Sequence, residues 1–317
     1  MSISPEPTVI LPSEDHFPAI VEASKDKSLP KFLGENGDRL AEFLSSTGAL
    51  LFRGFDVQNA YAFDAAVEAY GAENFRYAES LSNAVRVNVT DRVFTANEAP
   101  PETAIYLHHE MAQTPIYPSK LFFYCEISPS QGGATPICRS DKLIEHLQKV
   151  KPDLLAQFER KGVRYTHTMP PHDDPASGQG RGWRSTLGVE SKEAAEDRLA
   201  KLGYDCEWHD GETLRVTTPV LDAMRTIADG RRVFFNQLIA AYRGWADDRN
   251  DPSRSIAFGD GSAIDAADMA TAISLADDLT YDLNWQAGDV ALIDNFLVMH
   301  GRRPFEGKRR VLASLIA

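Results

Sequence analysis

The chain has 317 residues, 43% of them apolar and 25% charged, with a formal net charge of -13. That balance excludes a largely disordered chain, and disorder is expected only in the first few residues. The negative charge disfavours phosphate backbones and anionic membrane surfaces, no stretch is apolar enough to span a bilayer, and the start "MSISPEPTVILPSEDHF" has no basic region followed by a long apolar one. We therefore expect a cytoplasmic protein with a small-molecule partner, no nucleic acid and no membrane; a homo-oligomer is left open. Cys125, Cys138 and Cys206 form no CxxC pair and leave an odd number, so they read as buried reduced thiols rather than a disulfide framework or structural zinc site. No linker, repeat or charge block divides the chain, which reads as a single domain over 1–317.

In chain order, "KFLGENGDRLAEFLSS" (32 to 47) places Leu40, Phe43 and Leu44 on one face of a helix that Gly48 stops, and "ALLFRGF" follows as a buried strand. "NAYAFDAAVEAYG" reads as a helix, and "AVRVNVT" as a half-buried strand alternating Val85, Val87 and Val89 with polar neighbours. After Pro100 and Pro101 comes "YLHHEMAQ" (106 to 113). "KLFFYCEI" and "ATPICRS" are strands around the turn "SPSQGG", and a helix starts near Asp141. An insertion at about 140–230 reads as mostly helix and loop, with "CEWHDGETLRVTTP" a hairpin turning at Asp210 and Gly211. "RRVFFNQ", "GDVALIDN", "FLVMHGRRPF" and "KRRVLASLIA" read as further strands. Strands at both ends around helical inserts predict a mainly β fold with α insertions, its core an antiparallel sandwich or barrel.

The adjacent histidines raise a question of chemistry. If "YLHHE" is extended, His108 and Glu110 share one face, while His109 shares the other with Leu107 and Met111. A histidine and a carboxylate two apart, joined by His300 at the end of "DNFLVMH", make a 2-His-1-carboxylate set that suits non-heme Fe(II). His172 and Asp174 in "PPHDDP" have the same spacing, but no strand to fix their geometry.

Four separated pieces, "GALLFRGF" (48 to 55), "LHHE" (107 to 110), "GGATPI" (132 to 137) and "GDVALIDNFLVMHGRRPFEGKRRV" (288 to 311), together resemble the Fe(II)/2-oxoglutarate-dependent oxygenases of the taurine dioxygenase and clavaminate synthase family. That resemblance implies a double-stranded β-helix, or jelly roll. It implies Fe(II) held by His108, Glu110 and His300, with 2-oxoglutarate and O2 as co-substrates and no catalytic residues beyond the metal centre. The distal carboxylate of 2-oxoglutarate would be held by Thr135 and by Arg309 or Arg310. A guanidinium grips a carboxylate bidentately and a hydroxyl adds a hydrogen bond. Neighbouring arginines on a strand point oppositely, and Arg309 is favoured because it shares a face with Val311 and Ala313.

Two departures bear on the substrate. Glu110 stands where many relatives carry aspartate, which weakens a sulfonate assignment and is typical of amino-acid-modifying members. Ala313 or Ser314 stands where some relatives place a second, substrate-gripping arginine. The retained carboxylate argues against the related halogenases, so hydroxylation, with desaturation as the alternative, is expected on a small molecule, an amino acid or its derivative. Asn97 and Glu98 in "FTANEAP", Trp183 and Arg184 in "GRGWRST", and Phe235 and Asn236 in "FFNQ" are candidate substrate contacts, Arg184 for a carboxylate. A non-catalytic jelly-roll ligand-binding protein and a zinc hydrolase are the competing readings, and neither needs a grip on 2-oxoglutarate.

Overall fold

The computed structural model describes residues 8–10 and 17–317. The expectations of a missing targeting signal and of disorder in the first few residues lie largely outside the described residues. Seven strands form one sheet in the order Thr8–Ile10, Ala19–Glu22, Ala49–Arg53, Val290–Asp294, Lys120–Ile127, Arg310–Ile316, Phe94–Thr95. Among the described residues of this sheet, only Ala19–Glu22 and Ala49–Arg53 pair in parallel. A second sheet runs Tyr281–Leu283, Thr135–Arg139, Val298–Arg302, Ile105–His108, antiparallel throughout.

Strand alternation explains how the two sheets pack as a jelly roll. In Lys120–Ile127, Leu121, Phe123 and Cys125 point between the sheets, where they meet Ile137, Leu283, Val298 and Val311. The intervening Phe122 and Tyr124 point out, onto the helices Leu29–Glu35 and Ala60–Ala69, with Phe63 stacked on Tyr124 at 5.3 Å. Both faces of the sheet's central strands are thus buried, which is why those strands read as continuous apolar runs. On the small sheet, Leu107, Cys138 and Met299 face the helices Ser140–Val150, Pro152–Lys161, Leu238–Gly244 and Ala266–Asp278. Each such side chain contributes roughly 1.5–3 kcal/mol on burial.

Three local expectations are corrected. The helix expected over 32 to 47 is two, Leu29–Glu35 and Gly37–Thr47. The chain breaks at Asn36, whose side-chain amide donates back to the Phe32 carbonyl oxygen. The insertion contains strands as well as helix and loop: Asp205–Trp208, Leu214–Thr217 and Val163–Met169 form a sheet that Ile256–Phe258, beyond the insertion, completes. Its longest strand, "VRYTHTM", alternates buried and half-buried residues, a period of two carried largely by polar side chains. Cys206 is exposed, whereas Cys125 and Cys138 are buried. Among the described residues no helix is long and apolar enough to cross a membrane.

Candidate functional site

The two strands that carry the histidines are direct neighbours, with His300 opposite His108. Alternation turns Leu107 and Met299 outward to the helices, so His108 and His300 face inward, their ring centroids 4.3 Å apart. Directly opposed residues on antiparallel strands have Cβ atoms about 4.5–5.5 Å apart. The strands come this close because residue 301 is glycine: a Cβ there would lie 2.4 Å from the Ile105 carbonyl oxygen.

Glu110 reaches the histidines by another route than the one expected. The strand ends at His108, and Glu110 lies in a turn that Met111 completes at φ 60. The buried Asn295 sets that turn: the Glu110 amide donates to its Oδ1 at 2.7 Å, and its Nδ2 donates to the Glu110 carbonyl oxygen at 3.0 Å. One ligating atom each from His108, Glu110 and His300 lies within 4.8 Å of the others. Glu110 Oε2 is 3.4 Å from His300 Nε2 and 3.9 Å from His108 Nε2. His109 is fully buried but turned away, its Nδ1 donating to the Asn295 carbonyl oxygen and its ring 5.0 Å from Phe235. His172 is exposed and Asp174 pairs with Arg249, so the rival pair forms no cluster.

The electrostatics suit a cation. Burial, with the neighbouring His300, lowers His108 to about 4, so its ring is neutral at pH 7. Its Nδ1 donates to the Tyr106 carbonyl oxygen at 2.7 Å, which leaves the Nε2 lone pair facing Glu110. Burial pushes Glu110 up, but Arg86 and His300 outweigh it and hold the carboxyl below the usual carboxylate range. Glu110 Oε2 is buried with no hydrogen-bond partner. An orphaned carboxylate oxygen beside two imidazoles is costly, and a divalent ion would satisfy all three; the donor set is the one non-heme Fe(II) takes.

These residues line a cavity of about 110 Å³ that Thr135 and Arg309 also line. Thr135 accepts a hydrogen bond from the indole N–H of Trp285 at 2.9 Å, which leaves its own hydroxyl proton to donate. Arg309 donates Nε–H to the Gly133 carbonyl oxygen at 3.0 Å, and among the described residues no carboxylate pairs with it. Burial and the nearby Arg302 lower it to about 10, so it remains cationic at neutral pH. Arg310 points out to an ion pair with Glu126.

Of the substrate candidates, Asn97 alone lines this cavity. Glu98 is exposed. Trp183 is buried against Trp208, its indole N–H bonded to the Glu212 carbonyl oxygen. Arg184 lies over the Trp183 ring and donates to Pro171 and Glu212, so its charge is spent away from the cavity. Phe235 packs behind His109 with Tyr117 and Phe296. Asn236 accepts from the Leu238 amide at the start of the following helix and donates to the Ala223 carbonyl oxygen. Its neighbour Gln237 lines the cavity instead and donates to the His109 carbonyl oxygen at 2.9 Å.

Sequence reasoning missed Arg86 and Asn295, which both touch Glu110. Arg86 sat among valines read as a strand. No strand forms there: Val87 is 56% exposed, while the Arg86 side chain is 8% exposed and ion-paired to Glu110 at 2.9 Å. Asn295 carried a usable signal, a polar residue ending an apolar strand five positions before His300.

Residues 12–315 match the family described as taurine catabolism dioxygenase TauD, TfdA. A clavaminate synthase-like protein of Arabidopsis thaliana is 42% identical over 320 residues, covering 96% of each chain. The dapdiamide synthesis protein DdaC of Enterobacter agglomerans is 29% identical, covering 95% of this chain and 91% of its own. A taurine dioxygenase structure from Burkholderia xenovorans superposes with a TM-score of 0.56 at 16% identity, over 98% of this chain and 89% of that one, a likeness of fold.

Proposed function

This chain belongs to the TauD, TfdA family of Fe(II)- and 2-oxoglutarate-dependent dioxygenases, and on that premise we propose that it hydroxylates an unactivated aliphatic C–H of an amino acid or an amino-acid-derived small molecule. We assign His108, Glu110 and His300 as the iron ligands. Thr135 and Arg309 take the distal carboxylate of 2-oxoglutarate. The observation that carries the reading is the convergence of two imidazoles and an orphaned carboxylate oxygen on a cavity whose wall also holds a half-buried guanidinium that, among the described residues, no carboxylate pairs with.

When bound, the iron and its keto-acid co-substrate supply the oxidation of a C–H bond that no protein side chain achieves. The chain binds, orients and keeps out water. The Tyr106 carbonyl fixes the His108 tautomer, and Asn295 holds the backbone of Glu110. Arg309 brings to a half-buried wall a positive charge that no carboxylate among the described residues offsets, where a carboxylate satisfies it better than water does. Phe123 and Val311 make that wall apolar. No side chain is needed as a general acid or base.

The amino-acid reading draws on the DdaC relative and on a polar wall of Asn83, Asn97, Gln179 and Gln237. The Asn83 Oδ1 atom is buried and unpartnered, an acceptor suited to a substrate N–H. Anaerobic addition of Fe(II) and then 2-oxoglutarate should give a weak visible charge-transfer band, absent in His108→Ala. A screen of amino acids for substrate-stimulated succinate release then identifies the substrate. No band, and no succinate with any compound, would refute the proposal.

A further inference from the structure

We infer that Arg86 is a positioning residue that confines Glu110 to the metal through a single carboxylate oxygen; this rests on the reading of His108, Glu110 and His300 as the ligands. The two oxygens of Glu110 have different surroundings. Oε1 accepts from Arg86 Nη2 at 2.9 Å, whereas Oε2 has no hydrogen-bond partner and is the atom nearest both imidazoles. The pair is shielded from water, with side chains 8% and 3% exposed, so its geometry is neither screened nor averaged by solvent.

Arg86 is itself held. Its guanidinium lies 4.7 Å from the Tyr77 ring and 5.3 Å from the Phe94 ring, and those rings are 5.1 Å apart. Stacking on two aromatic faces fixes the donor plane. Asn295 holds the backbone of Glu110 at the other end, through both its amide and its carbonyl. A glutamate between these two anchors has little freedom left to swing its second oxygen inward.

That restraint matters because glutamate has one more rotatable bond than aspartate. Left free, it can chelate a cation with both oxygens and so occupy a position that the co-substrate needs. The facial set is useful because it leaves positions open. An arginine that occupies Oε1 keeps one of them open, and it explains how the longer carboxylate is accommodated at residue 110.

Arg86→Met, which keeps the bulk over Tyr77 and Phe94, tests this. Metal affinity is read by anaerobic titration with Fe(II) and with Mn(II). Affinity for 2-oxoglutarate is read at saturating metal from the charge-transfer band, with a melting curve alongside. We expect 2-oxoglutarate affinity at saturating metal to fall by about tenfold or more, while metal affinity holds or rises because the freed oxygen adds a bond to the ion. Replacing Glu110 by Asp in the same background should restore part of the 2-oxoglutarate loss, because the shorter side chain chelates less readily. A variant that melts lower but keeps wild-type metal and 2-oxoglutarate affinities overturns the inference, since Arg86 then only stabilises the fold. If Arg86→Met does not fold, Arg86→Lys, which keeps the charge but loses the fork, is judged by the same two affinities. Wild-type protein that binds no more metal than Glu110→Ala would overturn the ligand assignment itself, a separate outcome.

Discussion

Among the described residues, two regions bury histidines with unpartnered ring nitrogens, and they differ in what surrounds them. At the cavity, His300 Nδ1 and Glu110 Oε2 lack partners, and ligating atoms from three residues converge within 4.8 Å. In the insertion's sheet, His167 is 7% exposed, neither ring nitrogen has a partner, and its ring lies 5.8 Å from Trp245. Burial lowers His167 to about 4, against a weaker opposing effect of Asp247, much as burial lowers His108 to about 4. A buried histidine with a depressed pKa is therefore not by itself a ligand. Convergence with a carboxylate distinguishes the two regions, and it requires groups far apart in sequence to meet.

The largest test of that comparison is metal binding. His108→Ala, Glu110→Ala and His300→Ala should each abolish measurable Fe(II) binding in anaerobic calorimetry, while His167→Leu and His109→Ala keep one ion per chain. Metal lost from His167→Leu would erase the distinction.

The second test concerns the anion side of the cavity. Arg309→Ala should raise the Kd for 2-oxoglutarate by about 10–100-fold, the value of a charged hydrogen-bonded contact. Arg310→Ala, which removes only an exposed pair with Glu126, should change it by about twofold or less. Equal effects in titrations of the two variants would place the grip elsewhere.

Acid stability sharpens the comparison further. His108, His109 and His167 are lowered to about 4, 3 and 4 from an ordinary 6.5. Between about pH 6.5 and 4 the unfolded chain takes up protons at these rings and the folded one does not, so stability falls on acidification through that window. His167→Leu should remove up to roughly 3 kcal/mol of this loss, at about 1.4 kcal/mol per pH unit. At pH 7 it should cost little, because no hydrogen bond is broken. Urea unfolding at pH 7 and 4.5 measures both; an unchanged pH slope would mean that His167 protonates normally in the folded protein.

The smallest expected effect is at Thr135. Thr135→Val keeps the shape, removes one neutral hydrogen bond and orphans the Trp285 N–H, and should weaken 2-oxoglutarate binding by about 2–10-fold. No change in KM for 2-oxoglutarate would remove Thr135 from the grip.

How far the site was legible follows from the range of each signal. Local patterns located most elements: Asn59 caps the helix Ala60–Ala69, Gly48 ends Gly37–Thr47 at φ 82, and apolar runs mark the strands of the large sheet. The same logic failed at "AVRVNVT", where Arg86 turned inward because a buried carboxylate and two aromatic faces outweigh the burial of Val87. Glu110 joined the histidines through the Asn295 clamp rather than through strand alternation. Arg184 read as available for a carboxylate, yet Glu212, 28 positions on, had already taken it.

The sequence by itself determined the strand periods, the family motifs and the kinds of ligating groups this protein carries, because backbone propensity and side-chain chemistry act over a few residues. Only the tertiary structure decided which of those groups meet. His300 stands opposite His108 across a strand pair closed by Gly301, Arg309 rather than Arg310 faces the cavity, and Arg86 rather than solvent holds Glu110. Those outcomes depend on register, close approach and burial between segments up to about 190 residues apart, where the competition between water, carbonyls and counter-ions is settled only once the sheets have packed.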